Sequence, residues 1–388
     1  MRTKSNIFSF LFQEFTDSNV LYFLVLFFLG IFLTSLVIIP KIRSLSLKLR
    51  FTDIPDHRSS HTGIIPSFGG VAFYISYILV LFLIQPIDSN YVSLTLLCSI
   101  SIMFFTGLLD DIRNLSPKIK FLGQFIAVLL LMSQPDFRIL SLNGFMGVYE
   151  IPLVLSVLGT MFFLLGLINA FNLIDGIDGL TAITGIIVAS FYSYMFYHLG
   201  SYFYLAIGTT TIATLLAFLR FNFSEKSKIF MGDTGSLVIG LVLGLLTLKL
   251  MTLEGATIPF PFSPEQLPLF LVGVLFIPVL DILRVMGLRV LRGVSIFKPD
   301  RNHIHHIIVD FGLSHSKASL FIGVVNFTVA LVMFNVIQIF SGILSALILI
   351  SMFLFAIIIL FVMNKNISAL RLKMKLKSSM LKVFFFTW

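Results

Sequence analysis

Across 388 residues there is one cysteine, Cys98, one tryptophan, and only 12% charged side chains. A single thiol excludes internal disulfides and cysteine-based metal sites, and Cys98, inside an apolar run, reads as a packing residue. So little charge beside 57% hydrophobic residues and a mean hydropathy of +1.02 excludes a soluble domain, because no globular shape hides that much apolar surface. Alternating apolar and polar positions are missing too, which excludes a membrane β-barrel and leaves helices. No internal repeat of the kind that marks many transporters is found. The first apolar run lacks a small-residue cleavage site and leads through Pro40 into basic sequence, so it reads as a span and not as a cleaved signal.

What is present is an all-α, polytopic membrane protein. Apolar stretches near the length of a bilayer crossing recur about 11 times: 19–40, 66–85, 92–109, 118–133, 151–170, 180–198, 202–219, 234–252, 266–286, 318–339 and 342–363. Of the 27 lysines and arginines, 23 fall in segments 41–65, 110–120, 220–233, 284–317 and the tail after 363, which alternate to one side. Arg2, Lys4, Arg138 and Lys249 fall on the other. The crowded side is expected to be cytoplasmic, with the N-terminus outside and the C-terminus inside. The net charge of +9 is then a topology signal and an attraction to anionic inner-leaflet lipids, and no nucleic-acid partner is expected. Residues 1–363 read as one transmembrane domain and 364–388 as a basic cytoplasmic tail. Lys373, Lys375 and Lys377, followed by aromatics, are expected to rest on the inner leaflet.

The unusual polar residues collect on that same side. Asp110 and Asp111 end the third span in "TGLLDDIRNLSPKIKFLGQ", and Asp175 and Asp178 follow the fifth in "NAFNLIDGIDGL". Asp233 opens the eighth in "FMGDTGSL", and His303, His305 and His306 follow the ninth in "FKPDRNHIHH". Asp53, Arg58 and His61 follow the first in "DIPDHRSSHTGIIPSFGG", while His57 and His315 read as solvated loop residues. A transport pathway spreads ionisable groups through the bilayer midplane; a single lined interface favours an enzyme with one water-soluble and one membrane-embedded substrate. Carboxylates without cysteine suit Mg2+ or Mn2+ better than zinc, and the histidine spacing does not place three ligands on one helical face. With Lys118, Lys120 and Arg301 nearby, the set points to phosphoryl transfer on a diphosphate. Each motif alone has a plain alternative: a solvated helix end at Asp110–Asp111, a capped turn in "DGIDG", an ordinary helix start in "GDTGS".

Taken together and in order, these five motifs resemble the polyprenyl-phosphate N-acetylhexosamine-1-phosphate transferases over roughly residues 53–316. They are most similar to the bacterial enzymes that load N-acetylglucosamine 1-phosphate onto undecaprenyl phosphate. The resemblance implies a multi-pass enzyme of the bacterial inner membrane that uses Mg2+, UDP-GlcNAc and undecaprenyl phosphate, releases UMP, and starts a cell-envelope polysaccharide. Its active site would be built from loops 41–65, 110–117, 171–179, 220–233 and 287–317. It implies that Asp110 and Asp111 work at the acceptor phosphate and the metal, and that Asn172, Asp175 and Asp178 hold the nucleotide sugar and the reacting geometry. Asp233 would ligate the metal, and Arg58, His61, Lys118, Lys120, Arg301, His303, His305 and His306 would contact substrate. A second copy of the chain is a further candidate partner.

One departure qualifies that reading. The first loop commonly reads Arg-Lys-x-His, whereas this chain has Arg58-Ser59-Ser60-His61 and so lacks one cation. Relatives that use other UDP-N-acetyl sugars carry the same form, so another UDP-N-acetylhexosamine stays open as donor. A lipid-linked sugar transporter is the alternative of a different class.

Overall fold

The structure, a computed structural model, describes residues 17–53, 65–84, 90–252, 260–295 and 302–386. It is helical almost throughout. In chain order the helices are α1 (Asp17–Leu49), α2 (Gly70–Ile84), α3 (Asn90–Arg113), α4 (Pro117–Leu131), α5 (Leu153–Ile174), α6 (Leu180–His198) and α7 (Tyr202–Asn222). They continue as α8 (Gly232–Met251), α9 (Leu267–Val274), α10 (Phe276–Leu291), α11 (Ile304–Asp310), α12 (His315–Ile339) and α13 (Gly342–Phe386).

Among the described residues, 8 helices are long and apolar enough to cross a membrane, or 9 if the bent pair α9–α10 is one span. Each of the eleven expected stretches contains a helix, but α2 and α4 have only 15 residues each. At 1.5 Å per residue each covers about 22 Å of a hydrocarbon core about 30 Å thick. Helix α13 runs through residue 363 without a break, so backbone conformation does not mark the expected tail boundary.

The centre of the bundle is α8. Nearly every one of its residues is buried, and it packs against α2, α3, α5 and α6. Glycine makes this possible. A Cβ added at Gly70 would lie 2.2 Å from the backbone nitrogen of Gly235, so α2 and α8 touch backbone to backbone. Helices α1 and α13 are peripheral and expose long apolar rows, including Leu26, Leu29 and Leu33 on one and Ile350, Leu354 and Phe361 on the other. In water such rows would aggregate; against lipid tails they cost nothing. Cys98 belongs to this lipid-facing class, since it is exposed on α3 and not packed inside as its sequence context suggests.

Several polar side chains inside the bundle pair across helices, as a dry interior favours. Tyr77 shares a hydrogen bond of 2.8 Å with Thr211, tying α2 to α7, and Tyr192 one of 2.9 Å with Thr247, tying α6 to α8. The most consequential pairing sits at the 72° bend between α9 and α10. Pro278 has no N–H to donate to the carbonyl of Val274, four residues back. Asn326 of α12, fully buried, donates its Nδ2 to that carbonyl at 3.1 Å and accepts the Ile277 N–H at 2.9 Å. One amide thus replaces both groups lost at the break.

Asn326→Leu keeps size but orphans a buried donor and a buried acceptor. We predict a loss of about 2–5 kcal/mol, read as a lower thermal midpoint in detergent. An unchanged midpoint would show that the bend does not depend on this amide.

Candidate active site

The C-terminal ends of α3 and α5 and the N-terminal ends of α4 and α8 meet at one end of the bundle. Three of the expected motifs converge there. Lys120, one turn into α4, places its Nζ 2.9 Å from Asp110 Oδ2 and 2.9 Å from Asp233 Oδ2. The same ammonium donates to Asn172 Oδ1 at 3.1 Å. Asn172 in turn donates through Nδ2 to Asp233 and to Ser236 Oγ, the latter at 2.9 Å. One cation therefore holds residues from three other helices. One turn deeper, buried Gln124 of α4 and Asn169 of α5 pair amide to amide, at 2.9 Å from Asn169 Nδ2 to Gln124 Oε1. This carries the polar contact between the two helices into the apolar region.

Neighbouring aspartates have different duties. Asp110 Oδ1 accepts the Leu115 N–H at 2.7 Å and shapes the turn that leads into α4. Asp111 faces the start of α8, accepting the N–H groups of Asp233 at 2.8 Å and Thr234 at 3.0 Å together with the Thr234 hydroxyl. Those are amides that a helix leaves unpaired at its N-terminus, where the dipole also favours an anion. Gly232 permits the approach: its φ is +70°, and a Cβ there would lie 2.5 Å from Asp111 Oδ2. Asp111 thus anchors the helix that presents Asp233.

The "DGIDG" turn after α5 splits its two carboxylates. Burial raises the Asp175 pKa to about 7, and the negative charges of Asp233, Asp111 and Asp178 push it the same way. Asp178 belongs to a second group. Its Oδ2 lies 2.6 Å from Lys228 Nζ and 3.6 Å from His315 Nδ1, and its carbonyl accepts the Ser319 hydroxyl at 2.5 Å. Burial alone would raise its pKa, but hydrogen bonds and charge from His315 and Lys228 outweigh it and hold the carboxyl below the usual range. His315, read from sequence as a solvated loop residue, therefore faces a carboxylate from the start of α12.

The histidine motif forms the short helix α11, which leans on the same turn. A Cβ added at Gly176 would lie 2.2 Å from His305 Nε2, so only glycine lets "DGID" and His305 pack this closely. The rings of His303 and His305 stack at 5.8 Å, and those of His305 and His306 lie 4.2 Å apart. His303 and His305 are both buried.

Not every expected residue joins. Lys118 is exposed on α4, since two residues from Lys120 is more than half a helical turn away. Arg58, His61 and Arg301 lie outside the described residues. The strand pair Thr52–Asp53 and Ile65–Pro66 is nevertheless docked beside Asp233, through Phe230 N–H to Pro66 O at 2.9 Å and Gly70 N–H to Met231 O at 3.0 Å. Sequence reasoning passed over Lys228, Gln124, Ser236, Asp281 and Arg284. The last two carried a usable signal, because a carboxylate and a guanidinium inside "FIPVLDILRV" need partners in an apolar setting.

The model of glycosyl transferase family 4 matches residues 93–251, which include the aspartate pair, the lysine, the "DGIDG" turn and Asp233. The chain is 31% identical over 354 residues to the probable undecaprenyl-phosphate N-acetylglucosaminyl 1-phosphate transferase of Bacillus subtilis, covering 89% of this chain and 91% of that protein. It is 30% identical over 300 residues to the undecaprenyl-phosphate alpha-N-acetylglucosaminyl 1-phosphate transferase of Escherichia coli K12, covering 76% and 78%. With the similarly named protein of Yersinia pestis the identity is 29% over 298 residues, covering 75% and 78%. A bundle whose charged groups gather at one helix end, matching such relatives over most of their length, is a membrane-bound phospho-sugar transferase, and the chain belongs to glycosyl transferase family 4.

Proposed function

We propose that this protein transfers N-acetylglucosamine 1-phosphate from UDP-GlcNAc to undecaprenyl phosphate and releases UMP. The observation that carries the reading is the junction of Asp110, Asp233, Asn172 and Lys120 at one end of an apolar bundle, with the histidine helix packed against the adjoining turn. Such a junction suits a reaction between an anion on a lipid and an anion in water. A nonbridging oxygen of the lipid phosphate bonds to the β-phosphorus of the donor. The bond from that phosphorus to the bridging oxygen breaks, and this oxygen leaves on UMP. In this reading Lys120 offsets charge at the junction, Asn172 orients Asp233, and Asp110 and Asp175 flank the acceptor phosphate. Asp111 acts by anchoring α8. Asp178, with Lys228 and His315, holds the turn under the nucleotide. His303, His305 and His306 face the diphosphate and sugar, with Arg301, Arg58 and His61 as further contacts.

No three His, Cys, Asp or Glu side chains form a ready metal cage among the described residues. Mg2+ does not need one, since it takes one or two protein carboxylates and completes its shell with water and phosphate. Asp233, with Asp110 beside it, fits that requirement, and Mn2+ would fit likewise. Bound there, the ion would neutralise charge on the diphosphate. The 23-to-4 division of basic residues supports a cytoplasmic site in the bacterial inner membrane, eleven crossings, an outside N-terminus and anionic lipid at the tail. Arg58-Ser59-Ser60-His61 favours a second reading, the same reaction with another UDP-N-acetylhexosamine.

Three outcomes test these statements. Asp233→Asn should slow UMP release by the purified protein about 100- to 10,000-fold, a loss of about 3–5 kcal/mol, and weaken its Mg2+ dependence. Near-normal turnover with an unshifted Mg2+ requirement would remove Asp233 from the metal, and UMP release from no UDP-sugar at all would favour a transporter. A cysteine at Ser116 in a Cys98→Ala background should react in intact cells with membrane-permeant thiol reagents only; labelling by an impermeant reagent would invert the topology. Asp178 has a depressed pKa, so its ion pairs stabilise the fold above the unfolded value of 3.8 and lose that contribution as pH falls through the lower folded value. Asp178→Asn should therefore lower the thermal midpoint near neutral pH, with the gap narrowing in acid. A gap that is constant with pH would mean the pairs are not what the variant removes.

A further inference from the structure

Asp281 lies on α10, just beyond the 72° bend, inside an apolar sequence and 1% exposed. An ionised carboxylate in such a place is retained only where its oxygens are matched. Both are. Oδ2 lies 2.7 Å from His303 Nδ1, and Oδ1 accepts the backbone N–H of Ile304 at 2.8 Å. His303 is the N-cap residue of α11 and Ile304 its first residue, so one carboxylate grips the side chain of the first histidine and the start of the helix that carries the other two. One turn on, Arg284 donates Nη1 to the carbonyl of Asn302. The segment 302–304 is therefore fastened to α10 at three points.

We propose that Asp281 is a positioning residue for the transfer reaction, acting through His303; this rests on the reading of the histidines as diphosphate contacts. The Nδ1 contact directs one ring nitrogen to the carboxylate. That assigns Nδ1 the donor role and leaves Nε2 for substrate. His303 stacks nearly parallel to His305, with 7° between the rings, and His305 abuts Gly176 of the "DGID" turn. The orientation set by Asp281 is thereby handed to the turn that carries Asp175. A carboxylate that served only to start α11 would need the Ile304 N–H and not the imidazole.

A double-mutant cycle separates the two roles. Asp281→Asn is isosteric and still offers an oxygen to Ile304, but it removes the charge facing His303. UMP release is measured for the wild type, Asp281→Asn, His303→Asn and the double variant, with the thermal midpoint of each in detergent. Asp281→Asn should lower kcat at least tenfold with KM for the UDP-sugar changed less than threefold. The double variant should be no slower than His303→Asn alone. Wild-type kcat in Asp281→Asn, or losses that multiply in the double variant, would overturn the proposal. If Asp281→Asn does not accumulate as folded protein, Asp281→Glu replaces it in the cycle, with the same two outcomes deciding. A wild type that releases no UMP would refute the proposed function itself, and it shows before any variant is compared.

Discussion

Everything at the reactive end of this bundle depends on one ammonium group between two carboxylates. Asp110 and Asp233 come from helices that would repel one another at this point if left alone. Lys120 lies 2.9 Å from both and is mostly shielded from solvent. Removing one member of such a shielded set typically costs about 3–5 kcal/mol, because the remaining charges are stranded. The cation is thus a structural tie and, in the proposed reaction, the positive charge that an incoming diphosphate meets. The carboxylates that flank it have the character a hard divalent ion seeks, so the stability of the junction and its suitability for phosphoryl transfer have one origin.

Two devices deliver the remaining groups to that junction. Asp111 caps α8 and so fixes the direction in which Asp233 points, while Gly232 allows the carboxylate to come close. On the far side, Asn326 makes the break at Pro278 tolerable in an apolar interior, and α10 leaves the break carrying Asp281 and Arg284 toward the histidine helix. Each is a polar side chain that replaces a missing backbone partner. In a bilayer such replacements are compulsory, because no water is available to make them.

How much of this could be read beforehand differs by element. The helices were readable because each apolar run satisfies a length requirement set by the bilayer. Helix α2 begins later than its apolar run, because Pro66 and the strand pair precede it, whereas α4 keeps within two residues of its expected bounds, from Pro117 to Leu131. Cys98 shows a related limit, since an apolar run has both a lipid-facing and a buried side and hydropathy does not separate them. His315 looked solvated because its partner, Asp178, is distant in the chain.

By itself, the amino-acid sequence determined the class of protein, the shared end at which its charged residues gather, and the family, because these follow from composition, charge placement and ordered motifs. Only the tertiary structure decided the division of labour. It set Asp110 and Asp233 around Lys120, gave Asp111 to a helix terminus and Asp178 to Lys228 and His315, and placed Asp281 behind His303. The reason is physical: a carboxylate's role is set by the donors within about 3 Å of its oxygens. In this fold such donors come from distant segments, as the Thr234 N–H does, 123 residues from Asp111 in the chain.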